Sequence, residues 1–236
     1  MDKLFIIIPA YNEEANIQRT IDEWYPVVEK YNSNGESRLV IINDGSKDNT
    51  YQLLCDCART RPLLTPLTKP NGGHGPTLLY GYDYAIKNGA DYIFQTDSDG
   101  QTNPEEFHQF WALRNSYDAV IGQRSVRGDG QSRKFVENTV CFLLRMIFGI
   151  RVSDANAPFR LMRADLTADF IQKMPADFNL PNIMLTTYFV YYKKHVKFID
   201  ISFKPRQGGT NSINIKKIIK IGWKALGDFR QLKKEL

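Results

Sequence analysis

The sequence predicts an α/β fold in which helices flank a mostly parallel central sheet. Short runs rich in Ile and Val, bounded by turn residues, alternate with longer segments whose apolar residues recur at helical spacing. This alternation is typical of βαβ units. A length of 236 residues with 42% hydrophobic residues suits one domain of this class. We expect strands over 4–8, 39–42, 92–94 and 118–121, and helices over 13–30, 48–59 and 76–87.

The pattern changes after Gly122. A polar, glycine-containing loop is expected over 123–132, followed by a less regular half. The expected helices span 134–148, 166–173 and 182–193, and the expected strands span 159–162 and 197–203. Isoleucines and lysines interleave over 214–234, which predicts a basic amphipathic helix.

Composition narrows the class of protein. Three cysteines, without metal-binding spacing, favour a reduced cytoplasmic setting. No apolar stretch approaches the ~18–20 residues of a membrane span, so a soluble or peripheral protein is expected. The net charge of +5, concentrated in the second half, suits an anionic partner. The basic residues lack the interleaved aromatics of a recognisable binding motif, so no nucleic-acid partner is expected.

Three polar clusters follow predicted strands, at 9–14, 43–48 and 95–101. Ligands of open parallel sheets bind at the carboxyl ends of the strands, so these clusters together predict a site. Alternatively, these polar residues only form turns and cap helices. For Ser46 and Asp48 taken alone, this alternative stays open.

The third cluster predicts a metal site. Asp97 and Asp99 face the same side of an extended segment, and their carboxylates repel unless a cation lies between them. Gln101 faces the same way and adds a neutral oxygen, and this all-oxygen set suits Mg²⁺ or Mn²⁺. A calcium loop is excluded, because the required Gly and Glu positions hold Thr102 and His108.

A glycine-rich segment over 69–76 precedes a predicted helix. Gly72 and its neighbours permit close approach of a diphosphate to the backbone at the start of that helix. The segment matches neither the dinucleotide fingerprint nor the Walker motif. His74 is either a phosphate contact or a plain loop histidine.

Residues 9–13, 43–48 and 97–101, in this order and spacing, resemble the signature of inverting GT-A glycosyltransferases of family 2. The resemblance is strongest to the dolichol-phosphate mannose synthase-like and polyprenyl-phosphate glycosyltransferase group, and it extends to about Ser212. It implies a Rossmann-like GT-A domain over 1–212, followed by the amphipathic helix over 213–236. Residues 1–121 would form the nucleotide-sugar half and 122–212 the acceptor half.

The resemblance also implies roles for individual residues. The nucleotide-sugar would be bordered or contacted by Pro9, Tyr11, Glu13, Asp44, Gly72, Asp97 and Ser98. The metal would be held by Asp97, Asp99 and Gln101, with both aspartates counted as catalytic. Asn43 stands where the family usually has Asp, so its own role is open.

Three arginines would be catalytic and face phosphate groups, by resemblance to segments of the same family. Arg124 follows the pattern Gly-x-Arg, and Arg160 ends the segment 153–160. Arg206 and Ser212 belong to the segment 203–212, which would close over the diphosphate and the acceptor phosphate. Ala157-Pro158 replaces the usual Ser-Gly pair.

The acceptor predicted from these patterns is a polyprenyl phosphate, and the donor is a UDP- or GDP-sugar. A hydroxyl acceptor needs a general base, whereas a phosphate is already an anion. Near 178–184 the only carboxylate is that of Asp177. Transfer to a saccharide hydroxyl, or a non-catalytic nucleotide-binding module, are the alternatives. The basic helix predicts contact with the inner membrane face, with the domain itself or with a second subunit.

Overall fold

The computed structural model describes residues 2–32, 34–124, 131–204 and 227–234. In these ranges one sheet contains seven strands: β1 (Leu4–Ala10), β2 (Arg38–Asn43), β3 (Leu64–Thr68), β4 (Tyr92–Gln95), β5 (Ala119–Gln123), β6 (Arg160–Arg163) and β7 (Val196–Asp200). The helices are α1 (Ile17–Lys30), α2 (Thr50–Ala58), α3 (His74–Lys87), α4 (Phe107–Leu113), α5 (Gln131–Phe148), α6 (Ala164–Ile171) and α7 (Pro181–Tyr191). A short 3-10 helix (Pro104–Glu106) leads into α4, and residues 227–234 are helical.

The strands lie in the order β3-β2-β1-β4-β6-β5-β7. All neighbours are parallel except β6, which runs antiparallel to both β4 and β5. The predicted mostly parallel sheet is therefore confirmed. Because β6 runs the opposite way, it begins beside the carboxyl end of β4, where Arg160 pairs with Gln95.

Both faces of the sheet are covered. Along β1, Phe5 and Ile7 belong to one hydrophobic core, while Leu4, Ile6 and Ile8 belong to the other. This is the two-residue alternation of a strand buried on both sides. The first core lies under α3, α5, α6 and α7, and the second under α1, α2 and α4.

Within the described ranges the predicted elements are present with shifted ends, and β3 was not predicted. Pro66 interrupts the pattern of β3, and a proline is tolerated there because β3 is an edge strand. Helix α1 begins at Ile17 rather than near residue 13, after a turn in which Asn16 and Ile17 donate their backbone N–H groups to the Glu13 carbonyl.

The predicted basic helix over 214–234 is described only from residue 227, and the loop over 123–132 only in part. In the final helical segment Phe229 and Leu232 are buried, and the Phe229 ring lies 6.3 Å from that of Phe148. This end of the chain therefore packs on the domain. None of the helices in the described ranges is both long and apolar enough to cross a membrane.

Candidate functional site

The polar clusters that follow β1 and β2 are in direct contact. The Asn12 backbone N–H donates to Ser46 Oγ at 2.9 Å, and the Lys47 N–H donates to Asn12 Oδ1 at 2.9 Å. The Glu13 N–H donates to Thr50 Oγ1 at 2.9 Å. These bonds join two segments more than 30 residues apart in sequence into one surface at the carboxyl edge of the sheet.

The residues expected to border the base differ in exposure. Pro9 is buried at the end of β1, and Tyr11 is 42% exposed on the same edge. Glu13 is 6% exposed, and its carboxylate accepts a hydrogen bond of 2.7 Å from the Asn16 side chain. Tyr11 therefore presents the most accessible surface of the three, and their nucleotide contacts stay predictions.

Asp44 and the glycine-rich segment bind each other. One carboxylate oxygen accepts from Lys69 Nζ at 2.5 Å and from the Gly72 N–H at 2.9 Å, and the other accepts from the Gly73 N–H at 2.8 Å. Asp44 is only 3% exposed, so its carboxylate fills the anion position at the start of α3. In this structure it serves to shape the loop. Its contact with a nucleotide, and that of Gly72, stay predictions.

The sequence analysis assigned no role to Lys69, although it is the first residue of the glycine-rich segment. Its ammonium also donates to the Pro70 carbonyl at 2.9 Å and lies 3.3 Å from Thr77 Oγ1. The lysine thus ties the strand-end carboxylate to both ends of the segment. A basic residue at the start of a glycine-rich segment is the sequence feature that could have indicated this contact.

Two glycines allow this segment to be packed from both sides. A Cβ at Gly45 would lie 2.7 Å from the Asn71 backbone nitrogen, and Gly45 has a φ of +64°. A Cβ at Gly75 would lie 2.4 Å from the Phe178 carbonyl oxygen. Side chains at these positions would push the segment away from β2 or from the 178–179 backbone.

Asp97 is the carboxylate best placed for a cation. Its Oδ1 atom is buried and makes no hydrogen bond within the described residues, and the His74 Nε2 atom lies 3.9 Å from it. A buried carboxylate oxygen without a partner is costly, and a cation would satisfy it. The residues present therefore fit a divalent ion at this position.

The turn after Asp97 is held from several sides. Gly100 has a φ of +69°, and the Gln101 backbone N–H donates to Asp99 Oδ1 at 3.1 Å. Ser98 is 5% exposed, and its carbonyl accepts from Thr20 Oγ1 at 3.1 Å. These bonds fix the acidic turn against α1.

Gln101 is fastened to the chain beyond β7. Its side-chain nitrogen donates to the Lys204 carbonyl at 3.0 Å, and its own carbonyl accepts from the Lys204 N–H at 2.8 Å. Only its side-chain oxygen could therefore serve a metal, and that role stays a prediction. Among the described residues, no three His, Cys, Asp or Glu side chains are grouped to hold a metal. A site completed by substrate phosphates is the alternative that Mg²⁺ commonly uses.

Arg124 directly follows β5, and its guanidinium is paired. It donates to both oxygens of Asp154, at 2.8 and 3.0 Å, and lies 3.6 Å from Glu137. The guanidinium carbon is 5.2 Å from the centre of the Phe203 ring. A cavity of about 230 Å³ opens here, lined by Gln123, Arg124, Ser153, Asp154 and Asp200. A phosphate contact of Arg124 would be made in competition with Asp154.

Arg160 is placed differently from the expectation. It is 0% exposed, and its guanidinium donates to backbone carbonyls of the protein, including those of Ala157 and Asn182 at 2.9 Å. In this structure it therefore faces the interior, and a phosphate contact would require it to leave these partners. Arg206 and Ser212 lie outside the described residues.

An open α/β sheet with one antiparallel strand between β4 and β5, and an acidic turn at its carboxyl edge, defines a protein of the GT-A type. Residues 5–170 match the profile described as glycosyl transferase family 2. The chain belongs to this family, and the predicted membership is confirmed.

Curated relatives carry names that mention a polyprenyl lipid, in two cases as its phosphate. The undecaprenyl-phosphate 4-deoxy-4-formamido-L-arabinose transferase of Pectobacterium atrosepticum is 24% identical over 92% of this chain and 64% of its own length. The undecaprenyl-phosphate mannosyltransferase of Micrococcus luteus is 27% identical over 69% of this chain and 67% of its own length. The prophage bactoprenol glucosyl transferase homolog of Escherichia coli is 30% identical over 73% of this chain and 56% of its own length. The chain thus spans about two thirds or less of the relatives it matches.

Solved structures share the fold. Glucosyl-3-phosphoglycerate synthase from Mycobacterium tuberculosis, in complex with Mn²⁺ and UDP-glucose, superposes with a TM-score of 0.70 at 15% identity and covers 99% of this chain and 79% of its own. S. aureus TarS in complex with UDP-GlcNAc gives a TM-score of 0.60 at 19% identity, covering 96% of this chain and 66% of its own.

Proposed function

We propose that this protein transfers a sugar, with inversion, from a UDP- or GDP-sugar to a polyprenyl phosphate. The observation that carries the proposal is the buried Asp97 Oδ1 atom at the carboxyl edge of a GT-A-type sheet, which has no hydrogen-bond partner among the described residues. Membership of glycosyl transferase family 2 supports the reaction type, and the relatives' names support the acceptor.

In the proposed reaction, the bond between the anomeric carbon and the nucleoside diphosphate breaks, and a bond to an acceptor oxygen forms on the opposite face. The diphosphate leaves with the electron pair. Asp97, with Asp99 beside it, would hold Mg²⁺ or Mn²⁺. When bound, such an ion supplies electrostatic stabilisation of the departing diphosphate.

The chain's own residues would do the positioning. Tyr11 presents an exposed ring beside the base site, and Asp44 holds the glycine-rich segment in shape near Asp97. Arg124 and Arg206 would meet the acceptor and leaving phosphates, because a guanidinium binds phosphate with two donors at once and keeps its charge.

A phosphate acceptor fits the absence of a predicted base. The acceptor oxygen is already ionised, so no side chain has to remove a proton. Asp177, the carboxylate considered for a hydroxyl acceptor, is exposed on the segment before α7. A lipid phosphate lies at a membrane surface, so we further propose that residues 122–212 face the membrane, together with residues 213–236, for which the sequence predicts a basic helix.

The test is transfer of radiolabelled sugar from a panel of UDP- and GDP-sugars to polyprenyl phosphate, with Mn²⁺ or Mg²⁺. A lipid-linked product from at least one donor, lost on chelation, is expected. The absence of lipid product with every donor would sink the proposal. Products formed only on oligosaccharides, and lost in Asp177→Asn, would instead establish a hydroxyl acceptor.

A binding module without catalysis makes a separate prediction. It would bind nucleoside diphosphates, seen as a metal-dependent rise in melting temperature, yet show neither transfer nor donor hydrolysis. The same protein preparation measured in both assays distinguishes the two functions.

A further inference from the structure

The buried guanidinium of Arg160 joins two segments of the acceptor half. Its Nε and Nη2 atoms donate to the Ala157 carbonyl at 2.9 and 2.6 Å, and its Nη1 atom donates to the Asn182 carbonyl at 2.9 Å. Thr186 completes the connection, since its hydroxyl lies 3.3 Å from Nη1 and 3.0 Å from the Ala155 carbonyl. Residues 155–157 are thereby fixed to the first turns of α7.

Burying this charge is costly. Burial lowers the pKa of Arg160 to about 10, opposed by the nearby Tyr82 and Asp154, so the side chain stays charged at neutral pH. Its hydrogen bonds go to carbonyl oxygens rather than to a carboxylate. A buried ion is weak evidence for stability, and its retention is better explained by the specific geometry that it imposes.

That geometry extends to Arg124 through Asp154. Asp154 directly precedes the fixed segment, is 2% exposed, and accepts the Asn156 backbone N–H at 3.2 Å. Its two carboxylate oxygens receive the Arg124 guanidinium at 2.8 and 3.0 Å. The plane of Arg124, at the wall of the 230 Å³ cavity, is therefore set by a loop that Arg160 holds.

The same guanidinium neighbours the donor half. Arg160 lies opposite Gln95 in the antiparallel pairing of β4 with β6, two residues before Asp97. The Tyr82 hydroxyl lies 2.8 Å from Gln95 Oε1 and 3.2 Å from Asn182 Oδ1. Asn182, whose carbonyl accepts a hydrogen bond from Arg160, is thus also connected through Tyr82 to β4, the strand that precedes the acidic turn.

We propose that Arg160 is a positioning residue that sets the orientation of Arg124 for the acceptor phosphate, acting through residues 155–157 and Asp154. The phosphate part rests on the proposed function, whereas the orientation of Arg124 does not.

The first test follows Arg124 itself, without substrate. Its Nε–H donates to a buried carboxylate, so its nitrogen-15 NMR signal should be shifted and slow to exchange with water, and loss in Arg124→Lys assigns it. In Arg160→Lys, which keeps the charge but not the planar fork, the signal should broaden and exchange at least about tenfold faster. An unchanged Arg124 signal would overturn the proposal.

Two adjacent threonines of α7 provide a matched pair. Both are fully buried, but Thr186 contacts Arg160 and Ala155, whereas Thr187 donates to the Ile183 carbonyl of its own helix. Thr186→Ala should alter the Arg124 signal, and Thr187→Ala should leave it in place at a similar loss of melting temperature. Equal changes in both variants would show a general loosening and would also overturn the proposal. This pair keeps the test decisive if Arg160→Lys does not fold.

Kinetics supply the second test. Arg160→Lys should raise the KM for polyprenyl phosphate about tenfold while the KM for the donor stays within about twofold. In an Arg124→Lys background it should raise the acceptor KM no further, because its effect passes through Arg124. A wild-type protein that makes no lipid product would refute the proposed function, while the NMR result would still decide whether Arg160 positions Arg124. An acceptor KM that rises equally in both backgrounds contradicts the proposed route.

Discussion

The two halves of the proposed site, a donor half over residues 1–121 and an acceptor half over residues 122–212, differ in how Asp97 and the two described arginines are paired. In the donor half, the Asp97 Oδ1 atom is buried and has no hydrogen-bond partner in the part of the chain that the structure describes. In the acceptor half, the described arginines expected to face phosphate are already satisfied, Arg124 by Asp154 and Arg160 by backbone carbonyls. The Asp97 position thus lacks a nearby positive partner among the described residues, unlike Asp44, whereas Arg124 and Arg160 are already paired within the protein. A cation adds to the first site, but a phosphate must displace an internal partner at the second.

The largest expected effect is from Asp97→Asn. Removing the unsatisfied carboxylate should lower kcat about 10²–10³-fold, because the departing diphosphate loses its metal-mediated stabilisation. Steady-state transfer at saturating Mn²⁺ measures it. Asp83→Asn, an exposed aspartate paired with Lys87 on α3, is the control and should act like the wild type. If the kcat of Asp97→Asn stayed within threefold of the wild-type value, Asp97 would not hold a catalytic cation, and the contrast with the paired arginines would have no functional meaning.

Gly75→Ala tests the contact between the two halves. The added methyl would lie 2.4 Å from the Phe178 carbonyl, a backbone atom that cannot move aside alone. The free energy of unfolding, measured by denaturant titration, should therefore fall by about 1–3 kcal/mol. Gly227→Ala, whose Cβ would meet nothing within 4 Å, is the matched control and should be neutral. Equal behaviour of the two variants would show that the contact is not tight.

Asp44→Asn tests whether the ion pair between Asp44 and Lys69 preorganises the glycine-rich segment. The variant weakens the bonds to Lys69 and to the Gly72 and Gly73 N–H groups, so stability should fall by about 1–3 kcal/mol. Nucleoside diphosphate should also bind more weakly in calorimetry, because the loop must then be ordered by the ligand. Lys69→Met should give a similar loss, and the two changes should be less than additive when combined. Full additivity would show that the pair does not act as a unit.

The smallest effect concerns acid stability at the junction of the first two clusters. Burial acts to raise the pKa of Asp48, but hydrogen bonds from the Thr50 side chain and from the Thr50 and Glu14 backbone outweigh it and lower the pKa overall. A lowered folded-state pKa contributes stability above the unfolded value of about 4, which is lost as the pH falls through the folded value. Asp48→Asn should therefore flatten the stability profile below about pH 4 in thermal melts. If the melting temperature of the variant fell with decreasing pH as steeply as that of the wild type, Asp48 would not contribute to acid stability.

The fold was largely predictable, because each strand and helix carries its own periodic pattern. The strand β3 was not predicted, because Pro66 interrupts its apolar pattern. The fold tolerates this proline because β3 lies at the edge of the sheet, where the missing backbone N–H leaves no neighbour unpaired. Of the site, the three polar clusters were found from their places after strands. The contacts of Lys69, Asp154 and Gln95 were not predicted, although each lies in a segment that the sequence singled out. A polar residue cannot be distinguished from a turn residue until its partner is known.

The sequence by itself determined where the strands end and which polar side chains lie at the carboxyl edge, because local patterning and the alternation of strands with helices set both. Only the tertiary structure decided which charges are satisfied internally. Asp44 meets Lys69 across 25 residues, Arg124 meets Asp154 across 30, and Arg160 reaches Asn182 across 22. Such partners are chosen by packing, since a buried charge takes whichever donors or acceptors the folded chain brings within hydrogen-bond distance.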